Sequence, residues 1–126
     1  MSLPPDATDP PPSLDPAALD KLRELDPTGK QQVVQRVLNA YEQSLERMLG
    51  ELRAARPVRN LDTIARIAQT LTSSSASVGA LALSRRCAEA EKVLRSADEG
   101  RWDAELDSLL HEGDRALVAV RAMLHS

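Results

Sequence analysis

The chain has 126 residues, enough for one domain with its own core, and 42% of them are hydrophobic, within the globular range. Its net charge of -3 argues against nucleic acid as the main partner, because phosphate binding needs a marked excess of Lys and Arg. Phe is absent and Trp and Tyr occur once each, so the core must come from Leu, Val, Ile, Met and Ala, which favours packed helices over a sandwich. A single Cys rules out an internal disulfide and fits a reducing compartment. No apolar run approaches the roughly 20 residues of a membrane span. The first residues also lack the charged-then-apolar layout of a secretory signal, so a cytoplasmic location is expected.

Residues 1–13 are rich in Pro, Asp and Ser and read as a flexible tail, compatible with a linker stub. Folded structure is expected over 14–126. Asp15 suits an N-cap, Pro16 the first helical position, and Leu14 can staple against Leu19. Pro27 and Gly29 should end this short helix. A long helix follows over 30–55, with Val34, Val37, Leu38, Tyr41, Leu45, Met48, Leu49 and Leu52 in steps of three and four, one continuous stripe. Pro57 stops it.

The next helix starts near Leu61 and turns Ile64, Ala68, Leu71 and Ser75 inward, ending at the Ser77–Ala80 segment, where Gly79 is a typical terminator. A fourth turns in Leu83, Cys87, Ala90 and Leu94. After a turn at Gly100, the last helix aligns Trp102, Leu106, Leu109, Gly113, Leu117, Val120 and Leu124. No stretch alternates as a half-buried strand does. The expected architecture is all-α, an antiparallel up-down four-helix bundle with a short N-terminal helix capping one end.

At about 100° per residue from Ile64, the outward side of the third helix carries Ala65, Gln69, Thr72, Ser73 and Ala76. Such strips normally hold Lys, Glu and Arg. A small, uncharged strip suits a docking surface that lets a partner approach the backbone closely. Arg66, Arg85, Arg86 and Arg59 are candidates to ring it.

The segment "AQTLTSSSASVGALALSRRC" resembles the signature helix pair of histidine-containing phosphotransfer (HPt) domains, which relay phosphoryl groups between receiver domains. That signature reads His-x-x-Lys-(Gly/Ser)-x-(Ser/Ala), followed by a small-residue turn and another helix. Ala68, Leu71, Ser73, Ser75, the turn "SVGA" and "LSRRCAEAE" match. The resemblance places Gln69 where the family has its phosphoryl-accepting histidine, and Thr72 where it has Lys. An imidazole nitrogen attacks an aspartyl phosphate through its lone pair, whereas the amide nitrogen of Gln is only a donor. The resemblance therefore implies a bundle without phosphohistidine chemistry of its own. It would dock a response-regulator receiver domain or a hybrid sensor histidine kinase, and need no cofactor. Two other readings stand beside this one: a relay domain whose histidine has been exchanged for Gln69, and a structural or dimerising bundle that associates through the Gln69 face.

Elsewhere, His111 should point outward and His125 sits in the last turn. With only these two histidines a metal cluster is not expected. Cys87 on a buried stripe reads as an inert small hydrophobe. The run Thr72 to Ser75 has no base at helical spacing, so it reads as packing. Glu89 and Glu91 are two apart and share no face.

Overall fold

Leu14 and Asp15 begin the part of the chain that the computed structural model describes, residues 14–29, 32–96 and 98–125; the expected 1–13 tail lies outside it. Asp15 is extended and accepts from Ala17 N–H through its carboxylate, with Pro16 in the first turn, and these start α1 (Pro16–Glu24). Leu14 and Leu19 are both buried, as the staple requires. The other helices are α2 (Val33–Ala55), α3 (Leu61–Ser77), α4 (Leu81–Arg95) and α5 (Trp102–Leu124), the last preceded by a 3-10 turn at Glu99–Arg101. α2 starts at Val33 rather than Lys30, because Gln32 just before it takes a left-handed backbone, φ 51°.

α2 to α5 form an antiparallel ring in which α2 packs on α3, α3 on α4, α4 on α5 and α5 back on α2; α3 and α4 pack most extensively. α3 and α5 therefore lie diagonally. Leu45, Leu49, Ile64, Ile67, Leu71, Leu83, Leu109 and Val120 fill the axis and are almost wholly buried. Where α2 meets α5, Gly113 lets the helices touch: a Cβ there would sit 2.5 Å from Leu49 Cδ2.

A buried side-chain pair ties two of these helices together. The Tyr41 hydroxyl and Ser75 Oγ lie 2.7 Å apart and buried, joining α2 to α3. Burial pushes the Tyr41 phenol up to about 12, the Ser75 contact offsetting part of the rise. Ser75→Ala should cost about 1–3 kcal/mol, because the phenol loses its partner in the core. Tyr41→Phe should cost less, and the double variant less than the sum. Urea unfolding of the four proteins measures this, and additive losses would mean that the bond contributes nothing.

A charged clamp closes the bundle end where α2 turns into α3. Arg56 reaches Asp107 at 2.6 Å and Asp103 at 3.2 Å, and Arg59 reaches Asp103 at 3.0 Å. Arg59 also lies 5.9 Å over the ring of Trp102, whose indole N–H donates to Val93 C=O. These contacts hold Arg59 in a left-handed backbone, φ 53°, which a residue with a Cβ adopts only at a cost of about 1–2 kcal/mol. The Arg59 and Arg56 guanidiniums keep the Asp103 carboxyl below its usual range. A depressed folded-state pKa means that the clamp contributes fully at neutral pH and is lost as pH falls through the carboxylate range and below. Thermal midpoints of the parent and Asp103→Asn should therefore differ most near neutrality and converge on acidification. A gap independent of pH would contradict this.

Candidate functional site

α3 owes its N-terminus to Asn60, whose side chain accepts from Thr63 N–H. Its C-terminus is set by Gly79, φ 81°, in the turn to α4, where Ala80 N–H donates to Ser75 C=O at 2.8 Å. Past Arg66, α3 is polar without being charged. Two of its hydroxyls turn back on the helix, while the buried Ser74 Oγ has no partner among the described residues. Thr72 donates to Ala68 C=O at 2.8 Å and Ser77 to Ser73 C=O at 3.1 Å. From α4, Ser84 donates to Thr72 C=O at 2.7 Å. Small side chains let the two axes come close enough for a hydroxyl of one helix to reach the backbone of the other.

On the solvent side, Gln69, Ser73 and Ala76 are exposed, and Ala65 and Thr72 half-buried. Gln69 stands at the middle of this strip, and its amide has no hydrogen-bond partner among the described residues. Thr72 spends its hydroxyl on the backbone, so nothing charged stands one turn from Gln69 on that side. The α4 flank extends the surface. Ser84 faces α3, and in antiparallel register Leu81 and Ala88 border the same strip; Leu81 is 38% exposed. Reading α3 alone missed these two, because their place depends on which side of α3 its neighbour lies.

The four candidate arginines separate. Arg66 lies on the α2 side of the strip and reaches Glu51 at 3.5 Å. Arg59 belongs to the clamp at the bundle end. Arg85 and Arg86 are exposed on α4, where they border a groove of about 290 Å³ with Ala82, Glu89 and, from α5, Glu112. Arg86 is about 200° around α4 from Ser84, so it turns toward α5 rather than toward Gln69.

Both histidines belong to the α5 end of the chain and are exposed. α5 is diagonal to α3, so His111 does not join the Gln69 strip; it borders a shallow patch with Asp114, Arg115, Val118 and Ala119. The Cys87 thiol is fully buried, and burial pushes it up to about 12, which keeps it protonated and inert at neutral pH.

A bundle with an exposed site in the middle of the second of its four long helices can be compared directly with known families. The Hpt domain model matches residues 36–125, from the first turn of α2 to the end of α5. The chain belongs to the Hpt domain family. The solved structure of histidine-containing phosphotransfer protein B (HptB) from Pseudomonas aeruginosa PAO1 superposes with a TM-score of 0.77 at 21% identity, over 92% of this chain and 97% of that one. At that identity the likeness speaks for the fold alone. The curated proteins contain no match. Hpt domains are phosphotransfer carriers of two-component phosphorelays rather than conventional enzymes, and this chain is an Hpt-like member of that signalling class. Among the described residues, no helix of this Hpt domain is long and apolar enough to cross a membrane.

Proposed function

We propose that this Hpt domain regulates a phosphorelay by binding, without carrying the phosphoryl group. It docks a response-regulator receiver domain or a sensor kinase on the strip of Ala65, Gln69, Thr72, Ser73 and Ala76, with Arg66 at the rim. The single observation that carries the reading is the side chain at the strip's centre. Gln69 is exposed and unpartnered where the resemblance expects an imidazole. The amide nitrogen has no lone pair to offer an aspartyl phosphate, and Thr72 brings no positive charge to steady the transferred group. The other residues of the strip keep the low profile that close approach of a partner needs. Neither His111 nor His125 can take over, because both stand on or beyond the helix diagonal to the strip.

The reading is tested by titrating the protein against the receiver domains and hybrid kinases of its own organism. At least one should bind saturably, and Ala76→Arg should weaken that binding about tenfold or more by placing a bulky charge under the contact. A phosphorylated receiver or kinase should leave no label on the chain. Absence of binding to every receiver and kinase, or a stable phosphoryl adduct on either histidine, would sink it.

A further inference from the structure

Most of the described cations stand within 4.0 Å of a carboxylate, Arg53 on Asp114, Arg56 on Asp107 and Arg121 on Glu46 among them. Arg85 and Arg86, adjacent on α4, make no such pair. Carboxylates are near but engaged elsewhere: Glu89 is held by Lys92 at 3.4 Å, and Glu112 by Arg115 at 3.1 Å. Consecutive helical residues diverge by about 100°, so the two side chains leave α4 on either side of Ala82, which lies one turn back on the face between them. Long side chains on a helix lean toward its N-terminus, which brings both guanidiniums over Ala82. The result is a groove of about 290 Å³ with a methyl floor and an unpaired guanidinium on each wall.

We infer that this α4–α5 groove is a second docking site, separate from the Gln69 strip, and that its occupant is an acidic segment of a partner protein. Paired guanidiniums suit carboxylates, which accept two parallel N–H bonds from one fork. A volume of about 290 Å³ admits one or two side chains of an extended segment. Nucleic acid is a poor fit. The chain carries a net charge of -3, and its one Trp and one Tyr are both buried, so bases have no surface to stack on. Arg86 is turned away from Ser84 and α3, and Arg85 forms the wall nearer the strip, so a segment seated between them over Ala82 leaves Gln69 open, and one molecule can hold two partners or two parts of one partner.

The probe is a fluorescein-labelled octapeptide of alternating Asp and Glu, with an Asn/Gln version as the neutral control. Anisotropy should show saturable binding of the acidic peptide alone, weakening as salt rises. R85A and R86A should each reduce affinity, together by about tenfold or more. R36A, which removes another exposed, unpaired arginine on α2, should leave it unchanged. Backbone amide shifts on titration should cluster at Ala82, Arg85, Arg86 and Glu112 and leave Ala65, Gln69 and Ala76 unmoved. Equal losses in R36A and R86A, or shifts centred on Gln69, would overturn the proposal. Full displacement of the peptide by millimolar inorganic phosphate would overturn it too, by reassigning the groove to a small anion. No receiver or kinase takes part, so the outcome is independent of the proposed function.

Discussion

The double variant Gln69→His, Thr72→Lys should accept a phosphoryl group from a phosphorylated receiver, and the parent protein should accept none. Position 69 is solvent-facing at the centre of the strip, and position 72 is one turn further along the same helix. A histidine there regains a ring nitrogen free to attack in line, and the lysine brings positive charge to the developing phosphoramidate. Thr72 gives up only its bond to Ala68 C=O, a backbone group already inside the helix, so the exchange should leave the fold intact. Gln69→His alone should react about a hundredfold more slowly than the pair, since the charged group is still missing. Acid-labile radiolabel on the isolated protein measures the result. A folded double variant that stays unlabelled, with circular dichroism matching the parent, would mean that the surface around residue 69 no longer receives a receiver domain.

The second large effect concerns Gly79. Its φ of 81° is strained for any residue with a Cβ, and a Cβ there would stand 2.8 Å from both Asp15 N and Asp15 O and 2.9 Å from Ala18 Cβ. Asp15 N–H meanwhile donates to Gly79 C=O at 2.7 Å, so the glycine is both the turn between α3 and α4 and the seat of α1. Gly79→Ala should cost about 2–4 kcal/mol, combining backbone strain with displacement of packed neighbours. The displaced element should be α1, so tryptic cleavage at Lys21 and Arg23 should accelerate before the bundle melts. Gly50→Ala supplies the contrast. It sits inside α2 with nothing within 4 Å of the added carbon, and should stabilise by up to about 1 kcal/mol. Equal effects of the two alanines would refute the close approach at Gly79.

Much of this fold could be read from residue spacing. Asp15 and Pro16 start α1, Gly79 ends the α3 segment, and the stripe from Leu38 to Leu52 is buried. The misses share a cause. Ile67 is as buried as Ala68, because α3 packs on α2 and α4 at once and its interior arc is wider than one stripe. The expected Leu94 and Leu117 pack against the core only partly buried, while their neighbours Val93 and Ala116 are the more deeply buried. Near helix ends the choice between adjacent residues depends on the crossing angle of the neighbour, which periodicity does not encode. The same gap hid the direction of Arg86. Spacing fixes an angle about a helix's own axis, whereas the side on which the next helix lies follows from the handedness of the whole bundle. For the site, Gln69 and its small neighbours were legible because one helix supplies them all.

Trp102 is the chain's sole indole, and its environment is a guanidinium above the ring and a backbone carbonyl at the nitrogen. A fluorophore so enclosed emits according to whether Arg59 and Val93 stay in place. Its spectrum is therefore a ready gauge of the joint between the α2–α3 turn and the start of α5. An occupant landing on Gln69, nearer the middle of the bundle, should leave that emission untouched, so a change on mixing would reveal that the far end has loosened.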